Sequence, residues 1–196
     1  FMCTIYLSVA IMFIVHAMLL FVRGLQPLHY FKTVWPVLTF AFVSRSSAAS
    51  IPLAITAPEK FGVPNTIANI AASFGSSMGQ NGRAGIYPAI MVAMIAPTLG
   101  IDPLSFSFLA SLLPAIALGS IGVAGVGGGG TFAALIVLST LNFPVALVGI
   151  FIAIEPIVDM ARTALNVNGS MMSGVLASRL LKHQSAKSHH VASISE

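Results

Sequence analysis

From position 34 the chain reads Val34-Trp35-Pro36-Val37-Leu38-Thr39-Phe40-Ala41-Phe42-Val43, then Ser44-Arg45-Ser46-Ser47-Ala48-Ala49-Ser50, then Ile51-Pro52-Leu53-Ala54-Ile55-Thr56-Ala57. Neither apolar flank reaches the ~20 residues that a helix needs to cross a bilayer. The polar centre cannot lie bare in lipid either, because its backbone groups would find no water to bond. The stretch therefore predicts two half-length helices folded back on each other, a re-entrant hairpin over 27–60 with a Ser-rich tip.

The composition places that hairpin in a membrane. Hydrophobic residues make up 57% of the chain and charged residues only 7%, where a soluble domain would carry roughly a quarter charged. So few charges cannot clothe a water-facing surface, so the outside must face lipid. The formal net charge of +4 comes from Lys and Arg at segment ends rather than from a basic patch, which argues against nucleic acid as a partner. The single Cys3 rules out a disulfide framework. The chain opens inside an apolar stretch without Met or a signal peptide, which predicts further spans upstream.

The other segments sort by length. Residues 1–26 read as a transmembrane helix interrupted by His16, and 61–100 as a transmembrane helix broken at Gly79-Gln80-Asn81-Gly82-Arg83-Ala84-Gly85. Residues 101–143 form a second re-entrant hairpin, whose tip is the glycine-rich run from Gly122 to Gly130. A final transmembrane helix occupies 144–181, helical from about Val145, and a polar tail follows over 182–196. The tail histidines His183, His189 and His190 carry no metal-site pattern and are expected to be disordered. With both tips re-entrant, Arg23, Lys32 and Lys60 fall on the side of Arg179, Lys182 and Lys187, and the loop with Asp102 falls on the other. The positive-inside rule then puts the tail in the cytoplasm. Each half of the chain is a hairpin followed by a broken crossing helix, entered from opposite sides. This all-α inverted repeat points to a transporter binding site near mid-membrane.

The chemistry concentrates on one stripe. Glu155, Asp159, Arg162, Thr163, Asn166 and Ser170 step by three or four residues, so they share a helix face. A charge at the bilayer centre costs at least ~2.5 kcal/mol on insertion scales, so such a stripe must face a partner or a polar cavity. Asp159 with Arg162 is either a structural ion pair or a clamp for a zwitterion, its carboxylate meeting an ammonium and its guanidinium gripping a carboxylate. Flanking Thr and Asn favour the clamp. Ser46 and Ser47 at one tip, with Gly125, Gly127 and Gly128 at the other, leave backbone groups free to approach a ligand, although the glycines would serve close helix packing equally. In the broken helix Gln80 and Asn81 join Glu155, Asn166 and Ser170 as candidates to hold a coupling cation. Arg83 either pairs with Glu155 or another acid, or faces the ligand, and Arg45 is equally open. His16 reads as a satisfied interface histidine.

At these residues the sequence resembles the dicarboxylate/amino acid:cation symporter family. The resemblance is carried by Ser44-Arg45-Ser46-Ser47 with Ile51-Pro52, by the glycine tip, and by Asp159-Met160-Ala161-Arg162-Thr163-Ala164-Leu165-Asn166-Val167-Asn168-Gly169. Within that family, Gly79-Gln80-Asn81-Gly82, Gly85-Ile86-Tyr87-Pro88-Ala89 and Gly125-Val126-Gly127-Gly128-Gly129 look most like the bacterial L-cystine uptake symporters. The resemblance implies the transport domain of an elevator-type homotrimer in the cell inner membrane, carried by an N-terminal scaffold domain outside this sequence. It also implies that Asp159 binds the substrate ammonium, that Arg162 sets side-chain selectivity, that Thr163 and Asn166 complete the site, and that the two tips act as gates. Sodium-coupled members carry aspartates where this chain has Gly82 and Ser170. That weakens a Na+ site and makes H+ coupling through Glu155 a rival.

The expectation is a cation-coupled symporter that imports an amino acid, L-cystine first, with no cofactor beyond the coupling cation. The alternatives are another amino acid or a C4-dicarboxylate, and, in a different class, an ion channel. A filter needs no clamp for a zwitterion, which argues against the channel. No nucleophile–base pair or metal constellation suggests an enzyme.

Overall fold

The computed structural model describes residues 1–121, 123 and 125–192, without the side chains of 147 and 183–192. The described residues form helices and no strand. In chain order these are α1 (Met2–Val22), α2 (Pro27–Ser44), α3 (Ile51–Glu59), α4 (Asn65–Gly75), α5 (Tyr87–Ile95), α6 (Phe106–Gly119), α7 (Gly129–Thr140), α8 (Val148–Ile152) and α9 (Glu155–Ala192). Two stretches, Met2–Val22 and Asn81–Leu99, are long and apolar enough to cross a membrane. Large apolar side chains such as Leu7, Ile14, Met18 and Phe21 of α1 lie exposed on the surface of this chain.

α9 is the axis of the molecule, and α1, α2, α3 and α4 pack along it. Two apolar cores divide its length. Val158, Ala161 and Leu165 join Ile5 and Val9 of α1, Tyr87 and Met91 of α5, Leu112 of α6 and Val137 of α7. Further along, Val167, Met171 and Val175 join Leu20 of α1, Val34 and Leu38 of α2, Ala54 of α3 and Ala72 of α4. Each hairpin feeds one core. The polar stripe of α9 begins beside the first core and ends at the boundary between the two.

The turns follow from local chemistry. α2 stops at Arg45, whose φ of 53° is left-handed, and Pro52 opens α3 at a position where no amide donor is needed. The tip of the second hairpin returns through Gly128, which caps α7 with φ 85°, a conformation glycine adopts without strain. Between α4 and α5 the chain makes one π-helical turn, Asn81–Ile86, of the kind that often marks a functional position.

Two helix ends depart from the sequence expectation. The last helix is not continuous from Val145: a 3-10 turn and α8 end before Ala153–Ile154, and α9 starts afresh at Glu155. Pro156 explains the break, because it has no amide hydrogen to donate to the preceding turn and its ring crowds the carbonyl four residues back, whereas the first turn of a new helix tolerates it. The break puts Glu155 in the first turn of α9, where the helix dipole favours a carboxylate. At the other end α9 continues past Leu181 to Ala192, through a tail whose residues after Gly174 include neither Gly nor Pro. The backbone of His183, His189 and His190 is therefore helical where disorder was expected, and their side chains fall outside the described residues.

Candidate functional site

Four charged side chains meet at the middle of the molecule, all of them buried: Arg83, Glu155, Asp159 and Arg162. The π-helical turn supplies Arg83, and α9 supplies the rest. Arg83 donates from Nε to Asp159 Oδ1 at 2.7 Å and from Nη2 to Asp159 Oδ2 at 3.1 Å. Its Nη2 also donates to Thr163 Oγ1 at 2.6 Å and to the carbonyl of Arg45, and its Nη1 donates to Gln80 Oε1 at 3.3 Å. Arg83 thus ties α9 to the tip of the first hairpin.

Arg162 is held differently. Its Nη2 donates to Glu155 Oε1 at 2.9 Å and lies 3.4 Å from Asp159 Oδ1. Its Nε donates to the Val158 carbonyl at 3.1 Å, and its guanidinium carbon stands 4.0 Å over the Tyr87 ring, a cation–π contact. Arg162 Nη1 and the Tyr87 hydroxyl are buried with no partner among the described residues. Gly130 makes this arrangement possible, since a Cβ there would lie 2.5 Å from Arg162 Nη1 and 3.1 Å from Glu155 Oε1.

The remaining predicted residues divide into those that join the cluster and those that do not. Thr163 donates from Oγ1 to the Asp159 carbonyl at 2.8 Å. Asn166 accepts from the Gly82 amide at 2.8 Å and donates to Gln80 Oε1 at 3.4 Å. Gln80 also donates to the carbonyls of Ser76 and Val123, at 2.6 and 3.0 Å. Asn81 Oδ1 is buried without a partner among the described residues. The two tips touch: the Ala48 amide and Ser46 Oγ both donate to the Gly125 carbonyl, at 3.0 and 3.2 Å. Ser47 is buried there, and its Oγ is unpartnered among the described residues. Gly125 has no room for a side chain, since a Cβ would meet the Ser76 carbonyl oxygen at 2.1 Å.

Four residues stand apart. A Cβ on Gly127 or Gly128 would touch nothing within 4 Å. Ser170 donates to Val167 of its own helix at 2.9 Å and packs where a Cβ on Gly75 would fall, so it belongs to the α4–α9 contact. His16 hydrogen-bonds through Nδ1 with Asn168 Nδ2 at 2.8 Å, an interface partnership. Sequence reasoning left Arg83 open between two roles and gave Tyr87 and Gly130 none. A cavity of about 730 Å³ between α1 and α2 has apolar walls that include Phe13, Trp35 and Leu38. It holds no charged group to meet a zwitterion.

Comparison with known proteins adds relatives to this geometry. Residues 1–180 match the family described as the sodium:dicarboxylate symporter family. The L-cystine uptake protein TcyP of Bacillus cereus is 56% identical over 182 residues, 92% of this chain and 39% of that protein. The protein of the same name in Bacillus licheniformis is 56% identical over 180 residues, with the same shares. An uncharacterized symporter of Haemophilus influenzae is also 56% identical, over 92% of this chain and 41% of its own. The chain thus spans about two-fifths of the length of these relatives.

Proposed function

The chain belongs to the sodium:dicarboxylate symporter family, and from that membership we propose that it is the substrate-carrying part of a cation-coupled importer of L-cystine. The observation that carries this reading is the buried cluster of Arg83, Asp159, Arg162 and Glu155 beneath the contact of the two hairpin tips. Two acids and two arginines have no net charge, which suits a zwitterion. A dicarboxylate drawn to both guanidinium groups would leave two buried carboxylates without counter-charge, an arrangement that costs several kcal/mol. The names of the Bacillus relatives supply the specific amino acid.

In this reading the two hairpins are re-entrant and their tips are gates. Opening a gate requires little: the bonds from Ala48 and Ser46 to Gly125 are the polar links described between them. Asp159 receives the ammonium, Arg162 and Arg83 receive carboxylate oxygens, and Thr163 and Asn166 hold these groups in register. The loaded domain then moves as a unit against a trimeric scaffold formed by a part of the protein outside this chain.

Coupling runs on a sodium or proton gradient. Gly82 cannot be replaced by a carboxylate without repacking, because a Cβ there would lie 2.8 Å from the Arg162 carbonyl. Among the buried carboxylates, a proton on Glu155 would release Arg162. Asn81 Oδ1 is the oxygen open to sodium. We favour the proton.

Uptake of radiolabelled L-cystine by the full-length protein in proteoliposomes tests the reading. An inward proton gradient should drive saturable, concentrative uptake without sodium. Strict sodium dependence would overturn the proton assignment, and absence of concentrative uptake would overturn the transporter. Orientation has a separate test. Arg179 Nη1 reaches the Arg23 carbonyl at 3.0 Å and Lys182 Nζ the Gly62 carbonyl at 3.1 Å, so these basic residues gather at one end, read as cytoplasmic. With Cys3 replaced by Ser, a cysteine introduced by Ser105→Cys should react with an impermeant thiol reagent on intact cells. One introduced by Ser185→Cys should react only after lysis.

A further inference from the structure

One zwitterion needs one acid and one base, yet this site holds two such pairs. Arg83 pairs with Asp159 at 2.7 Å and Arg162 with Glu155 at 2.9 Å. The two acids lie four residues apart on α9, which at 1.5 Å of rise per residue separates their Cα atoms by about 6 Å. The Cα atoms of two half-cystines joined by a disulfide lie about 4.4–6.8 Å apart. The backbone spacing of the two acids is of the same order as that of the two ends of such a molecule, and Arg162 Nη2, 2.9 Å from Glu155 Oε1 and 3.4 Å from Asp159 Oδ1, bridges the two pairs.

We propose that Glu155 and Arg162 form a second clamp, which holds the far amino-acid end of a disulfide-linked double zwitterion, with Glu155 as the ligand of its ammonium. This rests on the transport reading above and adds a specificity-determining residue to it; because Glu155 is ionised on the ammonium in the loaded site, the clamp leaves the coupling proton to another group.

Charge accounting supports the assignment. Buried charges must stay paired, since a lone one is strongly destabilising. In the empty site the protein meets this demand internally, each arginine answering an acid. A double zwitterion enters by exchange at both pairs: each carboxylate takes an ammonium and each guanidinium takes a carboxylate. No charge is stranded at either end. A single amino acid can exchange with only one pair and leaves the other closed on itself, so the second clamp contributes nothing to holding it.

The second pair is also the one left open to a ligand. Arg162 Nη1 is a buried donor with no partner among the described residues, and Gly130 presents no side chain in front of it. The Val158 carbonyl at 3.1 Å and the Tyr87 ring at 4.0 Å fix the plane of the guanidinium, so it need not be ordered when the ligand arrives.

The test uses two ligands that differ only at the far end. One is L-cystine. The other is the mixed disulfide of L-cysteine with 3-mercaptopropionic acid, which keeps the far carboxylate and lacks the far ammonium. Isothermal titration of the full-length protein gives the ratio of their affinities. A charge-assisted hydrogen bond in a dry site predicts that the wild type prefers L-cystine by about tenfold or more. Glu155→Gln should narrow the preference to within about threefold, because its amide has no charge with which to tell the two ligands apart. Equal weakening of both ligands by Glu155→Gln, with the ratio kept, would overturn the proposal, as would a wild type that does not discriminate. If Glu155→Gln binds neither ligand, Glu155→Asp decides. Retention of the preference supports the second clamp, and its loss overturns it. A wild type that binds no L-cystine at all refutes the transport reading itself.

Discussion

Arg83 and Arg162 are both fully buried guanidinium groups, and both answer a carboxylate of α9, but they do different work. Arg83 spends its donors across the fold: on Asp159 and Thr163 of α9, on Gln80 beside its own turn, and on the Arg45 carbonyl at the first hairpin tip. Among the described residues Arg162 bonds within its own helix, to Glu155, Asp159 and the Val158 carbonyl, and keeps Nη1 unpartnered. A saturated arginine acts as an anchor between elements. An unsaturated one, held in plane by an aromatic face, is ready for a ligand. The same side chain therefore adds an anchor's part to recognition in one place and serves recognition alone in the other, and the difference is read from its partners rather than from its burial.

The sharpest way to break that contrast is to remove the acid the anchor depends on. Asp159→Asn leaves Arg83 buried without a counter-charge, and breaking a buried pair from one side costs about 3–5 kcal/mol. Uptake should be abolished and the thermal unfolding temperature in detergent should fall markedly, while membrane insertion persists. The double variant Asp159→Asn with Arg83→Gln should recover much of the melting temperature, since no charge is left stranded, and none of the uptake. Melting of Asp159→Asn at the wild-type temperature would mean that Arg83 anchors nothing.

Arg162→Lys should separate recognition from stability. Lysine keeps the charge but not the planar fork or the stacking on Tyr87. Losing a charge-assisted contact in a dry site weakens binding by roughly ten- to a hundredfold, so L-cystine uptake should fall by that order. Melting should change far less than in Asp159→Asn, because Arg162 links no second element by hydrogen bonds among the described residues. A stability loss as large as that of Asp159→Asn would erase the distinction between the two arginines.

How much of this site the sequence revealed depends on whether an interaction is local. The stripe from Glu155 to Asn166 was legible because its period is the period of a helix, and the first tip because its flanks are too short to span. Ser170 keeps the same face but sits one turn farther along α9, where the neighbour is α4 at Gly75 rather than the broken helix. The partner of Arg83 lies 76 positions away, and no local pattern chooses Asp159 over Glu155. The π-helical turn depends on Gly82 coming close against the Arg162 backbone, a tertiary contact. The restart of α9 at Glu155 did have a local signal, Pro156, which the apolar residues around it masked. The length of α9 beyond Leu181 was missed because polar residues were read as disorder, although nothing in them breaks a helix.

The smallest effect sharpens the contrast most finely, because it tests the open side of Arg162 without touching any charge. Gly130 and Gly127 stand in the same glycine-rich tip, and neither needs a positive φ. Their surroundings differ. A Cβ at 130 would press on Arg162 Nη1 at 2.5 Å and Cζ at 3.2 Å, whereas one at 127 would meet nothing within 4 Å. Gly130→Ala should therefore displace the guanidinium from its place over Tyr87, since a side-chain end yields before backbone does. A displaced donor loses part of one hydrogen bond, so L-cystine affinity should fall about three- to tenfold, or roughly 0.7–1.4 kcal/mol. Gly127→Ala should leave it unchanged. Titration of the two purified variants checks the pair. If both alanines weaken binding equally, the glycines matter for bending the tip as a whole, and the opening in front of Arg162 has no special part in recognition.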